Sequence, residues 1–305
     1  MARVGKGRMA SSTQRTAWEA VIRGDAVRTS IGVVTVLVGL VILGSVTDAV
    51  AWGSKGHRII GLIAQELLSP ETSAGIETIM GTADLATFGL YLDDNKDRLD
   101  VEVPGSRALH YDNIPTCGRK SHSEYCPNGW CASTQIARHR EILADAHESK
   151  ARKQFAIWVL PHLIGDIHQP LHAADRNDRG GNAIRVRLPW GRKANLHGAW
   201  GTDFIEHALG GKNEKLVAHD LLVKFSSRKT EWQTGTIQAW MDESHQLAKT
   251  FAYGKIVGFA CSADLRHTRI LLDQNYADQA TTVVEGQLVK AGYRLAHFLN
   301  LNLRK

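Results

Sequence analysis

A histidine and an aspartate interrupt one of the most apolar segments of this chain. Residues 155–167 are almost entirely apolar but include His162 and Asp166. Such side chains are costly to bury unless they have hydrogen-bond partners or bind a metal. Because they are four residues apart, a helix would place both on one face, where an imidazole and a carboxylate can bind one zinc ion. The segment therefore predicts a core helix whose polar pair either has hydrogen-bond partners or binds a metal, and Pro161 predicts a kink or restart within it.

Helical periodicity recurs along most of the chain after residue 51. It predicts helices over 57–68, 71–80, 133–148, 151–168, 197–209, 213–226, 230–251 and 275–301. A turn signal at 178–182 precedes alternating apolar and basic residues over 184–188, which predicts one strand. The 254 residues that follow residue 51 fit a single domain. We expect a mainly α fold, one helical domain with a small β-hairpin.

Residues 1–51 have the three regions of a secretory signal. A basic stretch is followed by an apolar run over 31–43 and by small residues that end at Ala51. The apolar run is shorter than the roughly 20 residues that a membrane span needs, although an uncleaved anchor is the alternative interpretation. Cleavage would leave a mature chain, 52–305, that is secreted or periplasmic. We expect this chain to be a monomer with no stable membrane association.

Removal of this leader would take away six basic and three acidic residues, so the formal net charge would fall from +6 to +3. A mildly basic chain attracts phosphates weakly, but solubility alone also explains such a charge.

All four cysteines lie after the predicted leader. In an exported chain an even number of cysteines predicts disulfides, and four allow three pairings. The short spacing favours a local bridge between Cys126 and Cys131, which leaves Cys117 to pair with Cys261. A zinc ribbon is disfavoured because the chain has no CxxC pair.

Several strings resemble the S1/P1 nuclease family, and they occur in family order across 52–305. The central block is 165–172 (GDIHQPLH), followed by 178–182 (DRGGN) and 195–197 (NLH). Further matches are 52–57 (WGSKGH), His110 with Tyr111, 113–115 (NIP) and 291–296 (AGYRLA). The resemblance implies a fold of the phospholipase C/P1 nuclease type and a cluster of three zinc ions.

The resemblance also implies which residues bind the first two ions. The first would be bound by Asp93, His110, His162 and Asp166. The second would be bound by the amine and carbonyl oxygen of Trp52, by His57 and by Asp166 as a bridge. An α-amine has a pKa of about 7.7–8.0 and loses its proton readily to a metal. It is free only after the peptide bond between Ala51 and Trp52 has been cut, so leader removal and zinc binding would be coupled.

The third ion would be bound by His172, His197 and a carboxylate four residues after the latter. That position is Gly201, and the next acid is Asp203, which on a regular helix points away from His197. The third site would thus be weaker, completed by water, or completed by Asp203 through a local distortion.

A second departure from the family lies near Asp93, for which Asp94 is the rival ligand. Where the family has an arginine this chain has Lys96, which keeps a positive charge but loses the bidentate guanidinium. We expect slower chemistry, with Arg98 as the candidate for compensation.

Other polar residues have plainer interpretations. We expect His168 to be a core residue rather than a ligand, and 178–182 to be a turn beside the site with little direct chemistry. Tyr111 is a candidate platform for a base and Asn113 a candidate reader of its edge; packing is the alternative for both. The remaining histidines considered are ordinary surface or packing residues: His122, His139, His147, His219, His245, His267 and His297.

The resemblance implies a zinc-dependent endonuclease that hydrolyses single-stranded DNA or RNA, or nucleotides, to 5′-phosphate products, with 3′-nucleotidase action. Asp93 would orient the attacking water and Lys96 would lie near the phosphate. One alternative is a zinc-dependent phospholipase C, which resembles the same fold. The other is an exported zinc-binding or nucleic-acid-binding protein whose catalysis is impaired at Gly201 and Lys96.

Overall fold

Helices make up most of the described chain. A computed structural model describes residues 52–303; the predicted leader lies outside these residues. The helices are α1 (Ser54–Gln65), α2 (Pro70–Met80), α3 (Leu85–Phe88), α4 (Tyr91–Asp94), α5 (Lys96–Glu102), α6 (His122–Tyr125), α7 (Ala132–Ala144), α8 (Lys150–Asp166), α9 (Leu196–Gly198), α10 (Phe204–Leu209), α11 (Glu214–Lys224), α12 (Lys229–Trp232), α13 (Ile237–Leu247) and α14 (Gln274–Asn302). The predicted mainly α class is confirmed.

Short 3-10 and π-helical turns lie between several of these helices. Turns of 3-10 helix span Ser106–His110, Pro127–Gly129, Pro170–His172 and Ser226–Arg228. Turns of π-helix span Ala199–Asp203 and Ala248–Tyr253. The predicted helices over 197–209 and 230–251 therefore contain π-helical turns, which periodicity alone does not reveal. The prediction of one continuous helix over 230–251 is wrong, because the chain leaves the helix at 233–236.

Side-chain caps set the start of several helices. Ser69, Ser149, Asn213, Thr236 and Asp273 each accept a hydrogen bond from a backbone N–H in the first turn of the helix that follows. Such caps satisfy N–H groups that have no partner inside the helix.

A three-stranded sheet lies beside the helices. Strand β1 (Arg185–Arg187) pairs antiparallel with β2 (Lys193–Asn195) and parallel with β3 (Arg269–Leu271). The predicted hairpin is present. Strand β3 was not predicted, because three residues are too few to show the alternation of a strand.

The core forms where α1 packs against α14 and α8. Glycines allow the closest approaches: a Cβ at Gly292 of α14 would overlap the side chain of Ile63 of α1. On α8 every residue from Phe155 to Asp166 is buried except Trp158. Pro161 lies inside α8 without ending it, so the predicted restart does not occur.

Two disulfides join the predicted pairs. Cys117 bonds to Cys261 across 144 residues, and Cys126 bonds to Cys131 within one loop. The long bridge ties the loop before α6 to the loop before β3. Within residues 52–303, none of the helices combines the length and the apolar content that a membrane span requires.

Candidate metal centre and active site

The last turn of α8 carries the central pair of the candidate site. Both His162 and Asp166 are fully buried, and Nε2 of His162 lies 3.2 Å from Oδ2 of Asp166. Nδ1 of His162 donates to the carbonyl oxygen of Gly89 at 2.7 Å. In the neutral ring this hydrogen bond fixes the tautomer that leaves the lone pair of Nε2 free for a metal; without a metal, the nearby carboxylates favour the protonated ring.

Helix α1 brings His57 against this pair. Its ring stacks on His162 with 4.0 Å between the ring centroids. The approach needs Gly165, because a Cβ there would lie 2.9 Å from Nδ1 of His57. Nε2 of His57 lies 3.4 Å from Oδ1 of Asp166.

Two further side chains complete the cluster. Nδ1 of His110, which ends a 3-10 turn, lies 3.1 Å from Oδ2 of Asp166 and 3.0 Å from Nε2 of His162. Oδ1 of Asp93, on α4, lies 3.9 Å from Nε2 of His162. Asp94 is exposed and does not line the pocket, so of the two rival carboxylates the fold brings Asp93 to the cluster.

A second pair of imidazoles lies beside this cluster. Nε2 of His172 and Nε2 of His197 are 3.1 Å apart. Nδ1 of His172 donates to the carbonyl oxygen of His110 at 2.6 Å, and Nδ1 of His197 donates to that of Gly180 at 2.8 Å. In the neutral rings both facing Nε2 atoms are therefore acceptors, and two acceptors do not bond each other. A cation bound by both would resolve this contact.

The electrostatics of the cluster favour an ionised Asp166. Burial opposes ionisation, but the neighbouring His162 and His172 outweigh it and hold the pKa of Asp166 well below its usual value. Burial would lower the pKa of His162, yet Asp166 and Asp93 raise it to about 9. Burial and His172 lower the pKa of His197 to about 3, so this ring is neutral at pH 7.

Unsatisfied buried atoms show that the cluster suits a metal. Among the described residues, both ring nitrogens of His57 and Oδ1 of Asp166 are buried without a hydrogen-bond partner. Such atoms are costly unless a ligand satisfies them. Two groups of three residues each bring one ligand atom per residue to within 4.8 Å of the other two: His57, Asp93 and His162, and His110, His162 and Asp166. Imidazole nitrogens and carboxylate oxygens are ligands that zinc accepts. The residues present therefore fit a bound metal.

Trp52 lies against the helix that carries Asp166. It is fully buried, and its Nε1 donates to the carbonyl oxygen of Gly165 at 2.7 Å. The next residue is also fixed, because the backbone N–H of Gly53 donates to the carbonyl oxygen of Gly201 at 2.7 Å. The start of the described chain is thus bonded to Gly165, which precedes Asp166, and to Gly201, which lies four residues after His197.

Asp203 has a different partner from the one expected of a metal ligand. It ends the π-helical turn that begins at Ala199, and its Oδ1 accepts a hydrogen bond from Nε of Arg192 at 2.5 Å. In the described part of the chain it makes no polar contact with His172 or His197. The local distortion anticipated from the sequence is present, but it directs Asp203 to Arg192.

A pocket of about 380 Å³ is lined by Asp93, His110, His172 and His197. Tyr111, Asn113 and Lys96 line it, as do five residues that the sequence analysis did not assign to the site: Arg107, Asp175, Asn177, Arg179 and Asn182. Arg98 is absent from this lining and instead binds Glu102, Asn95 and Tyr91. The expectation that Arg98 compensates for Lys96 is therefore wrong.

The 178–182 turn lies in the pocket wall rather than beside it. Oδ1 of Asp175 accepts from the backbone N–H groups of Asp178 and Gly180, and Oδ1 of Asp178 accepts from that of Gly181. These bonds hold Arg179 at a φ of 60°, a conformation uncommon for side chains other than glycine. The match of 178–182 to the family was the sequence feature from which Arg179 and Asn182 could have been assigned to the site.

His168 is a core residue, as the sequence predicted. Its Nδ1 donates to the carbonyl oxygen of Ile164, and its Nε2 accepts from the buried Arg294 at 2.8 Å. Arg294 also donates to Glu243 and to the carbonyl oxygen of Trp232. This network explains the 291–296 motif, which braces the end of α8 from the far side of the site.

Comparisons with known proteins decide the family of the chain. The S1/P1 nuclease family model matches residues 52–304. The chain belongs to the S1/P1 nuclease family. Nuclease S1 of Aspergillus oryzae is 29% identical over 272 residues, which are 82% of this chain and 91% of that protein. Nuclease P1 of Penicillium citrinum is 27% identical over 82% of this chain and 97% of that protein. Endonuclease 3 of Arabidopsis thaliana is 30% identical over 86% of this chain and 92% of that protein.

As an S1/P1 nuclease, the chain is a metal-dependent hydrolase that acts on phosphodiester bonds. Its His/Asp cluster supplies candidate ligands, and the adjoining pocket gives the substrate access to them.

Proposed function

We propose that this S1/P1 nuclease is a zinc-dependent endonuclease that cleaves single-stranded DNA and RNA to 5′-phosphate products and also removes 3′-phosphates from nucleotides. One observation carries the proposal. Both ring nitrogens of His57 and one oxygen of Asp166 are buried without hydrogen-bond partners, next to Asp93 and His110, which line a pocket together with Lys96, Arg179 and Tyr111.

In this proposal three zinc ions have separate ligand sets. The first set is Asp93, His110, His162 and Asp166; the second is the Trp52 amine and carbonyl oxygen, His57 and Asp166. The third is His172 and His197, completed by water, because the candidate carboxylate of Asp203 is paired with Arg192. When bound, zinc supplies Lewis-acid activation of water and neutralises charge at a phosphodiester.

The pocket side chains would position the substrate. Asp93 reaches the pocket with a carboxylate that can orient an attacking water. Lys96 and Arg179 can attract the anionic oxygens of the scissile phosphate. Tyr111 can stack on a base while Asn113 hydrogen-bonds its edge. Stacking of this kind needs an unpaired base, which is why we propose single strands as substrates.

We also propose that the active protein begins at Trp52, after removal of 1–51, and is a monomer that is secreted or periplasmic. Two disulfides fit an oxidising compartment. The Trp52 indole is buried and donates to the carbonyl oxygen of Gly165, next to Asp166, which supports a role for the Trp52 backbone at the second ion.

The first test compares protein that begins at Trp52 with a matched control that begins at Ala51. Each would be loaded with zinc, and zinc per chain would be counted by mass spectrometry of the metal. We expect three ions for the Trp52 form and one fewer for the control, because an amide nitrogen is a poor metal ligand.

The second test gives the Trp52 form a single strand, the matching duplex, a 3′-mononucleotide and phosphatidylcholine. Cleavage of the single strand and the mononucleotide is expected. A zinc-loaded enzyme that cleaves neither would falsify the proposed substrates. The family match and the nuclease relatives do not favour the phospholipase alternative. Zinc binding without cleavage of any substrate would support the impaired-protein alternative.

A further inference from the structure

The exposed face of the three-stranded sheet is strongly basic. Alternate residues of a strand face opposite sides, and paired residues of neighbouring strands face the same side. Val186 of β1 and Ile270 of β3 are buried, so the outer face belongs to the residues on either side of them. Its six positions are Arg185, Arg187, Lys193, Asn195, Arg269 and Leu271.

Four of these six positions are cations, and no carboxylate lies among them. Within residues 52–303, none of these four cations forms an ion pair, whereas Arg192 in the adjoining turn is paired with Asp203. The strand register opposes like charges: Arg185 pairs with Arg269, and Arg187 pairs with Lys193. Like charges opposite each other destabilise a sheet, so this face gains from an anionic partner.

The basic face is continuous with the pocket along the chain. Asn182 lines the pocket three residues before β1 begins, and His197 lines it two residues after β2 ends. The row of Arg185, Asn195 and Arg269 is therefore nearest the pocket, with Arg187 and Lys193 one row beyond. Rows lie about 6.6 Å apart, because each strand residue rises about 3.3 Å.

An exposed indole follows at the tip of the hairpin. Trp190 is 40% exposed, and its ring stacks on His207 with 4.6 Å between the ring centroids. An indole supported in this way is suited to stack on an unpaired base.

We infer that this face, which we name the basic sheet face, binds the sugar–phosphate backbone of a single-stranded substrate that extends beyond the pocket. The inference rests on the proposed function and adds a second contact region to it. The basic sheet face attracts several consecutive phosphates, and Trp190 takes a base at its far end. A long strand therefore binds more tightly than a dinucleotide, which fills only the pocket.

The test removes the four charges in one variant: Arg185→Thr, Arg187→Thr, Lys193→Thr and Arg269→Thr, since threonine suits strands. A matched control loses the same charge from exposed residues that do not line the pocket: Arg140→Gln, Lys215→Gln, Lys229→Gln and Lys249→Gln. Binding of a fluorescent 30-nucleotide phosphorothioate single strand to the zinc-loaded proteins would be measured by anisotropy across a range of salt concentrations. Circular dichroism would check the fold of each variant.

We expect the sheet variant to bind the 30-mer at least tenfold more weakly at low salt, and the control variant less than threefold more weakly. The salt slope should fall by about 0.7 for each phosphate that the variant no longer neutralises. The melting temperature of the free sheet variant should rise, because the opposed like charges are gone. Hydrolysis of a dinucleotide should change less than twofold.

Equal loss of 30-mer affinity in the two variants would overturn the inference, since general charge would then explain it. So would unchanged affinity of the sheet variant, or sheet-dependent binding confined to heparin or anionic vesicles. Failure of the proposed function would be a separate result. In that case the wild-type protein would cleave no single strand, whether or not the basic sheet face binds one.

Discussion

Nε of Arg192 donates a hydrogen bond to Oδ1 of Asp203 at 2.5 Å. Asp203 is the acidic residue nearest in sequence to Gly201, and its carboxylate is already engaged in an ion pair. Arg192 belongs to the turn between β1 and β2, whereas Asp203 ends the π-helical turn after His197. The pair joins the hairpin to the segment that carries His197.

Asp203→Asn tests whether this carboxylate is an ion-pair partner or a metal ligand. We expect zinc per chain to stay unchanged and the free energy of unfolding to fall by about 1 kcal/mol or less, because the Arg192 side chain is 61% exposed and the asparagine oxygen can still accept its hydrogen bond. Loss of one zinc ion from the variant would instead identify Asp203 as a ligand.

His172→Ala and His197→Ala should each remove one zinc ion and lower kcat/KM on single-stranded DNA by at least about 100-fold. Even the removal of a residue that only hydrogen-bonds a metal ligand typically lowers metal affinity or activity 10–100-fold. His147→Ala is the control, because His147 is exposed and does not line the pocket. Full zinc content in both site variants would contradict the assignment.

Lys96→Ala should lower kcat by about 10-fold or more, and Lys96→Arg should retain or raise it, since a guanidinium can bind two phosphate oxygens at once. Arg98→Ala is the matched control. Its guanidinium binds Glu102 at 2.9 Å and does not line the pocket, so kcat should stay within twofold of wild type. Equal losses in Lys96→Ala and Arg98→Ala would argue against a specific role for Lys96.

Arg294→Ala should lower the free energy of unfolding by about 2–4 kcal/mol. The change leaves Nε2 of His168 and the carbonyl oxygen of Trp232 without their buried donor. Arg294→Lys should recover only part of the loss, because an ammonium group does not have the same fork of donors. Chemical denaturation of the three proteins measures the difference, and an Arg294→Ala variant as stable as wild type would exclude this bracing role.

His139 should make the fold sensitive to acid. Burial, followed by the charges of Arg138 and Arg152, lowers its pKa to about 3, below the ordinary value of 6.5. The unfolded chain therefore binds a proton below pH 6.5 that the folded chain does not. This difference lowers stability by about 1.4 kcal/mol per pH unit as the pH falls from 6.5 towards 3.

His139→Leu should remove this pH dependence. Both ring nitrogens of His139 lack hydrogen-bond partners in the described chain, so the variant should also be no less stable at pH 7. Between pH 7 and 4.5, the free energy of unfolding should fall by about 2–3 kcal/mol less than in wild type. His219→Leu, at an exposed position on α11, is the control, and equal pH profiles for wild type and His139→Leu would refute the prediction.

Sequence periodicity predicted most of the long helices within a few residues, because several bury an apolar face and the second half of α8 is apolar and buried almost throughout. It missed β3 and the π-helical turns at Ala199–Asp203 and Ala248–Tyr253. A three-residue strand and a one-residue change in helix pitch leave almost no periodic signal. Both features depend on what packs around them.

For the site, the sequence by itself determined the family and the ligand types. The motifs from 52–57 to 195–197 occur in order, and His162 with Asp166 in an apolar segment already requires a partner or a metal. Only the tertiary structure decided how these residues meet. It brought Asp93 rather than Asp94 to the cluster, turned Arg98 away, placed Arg179 in the pocket wall and paired Asp203 with Arg192. The physical reason is that a ligand type is a local property of one residue, whereas the direction of a side chain depends on contacts between segments far apart in sequence.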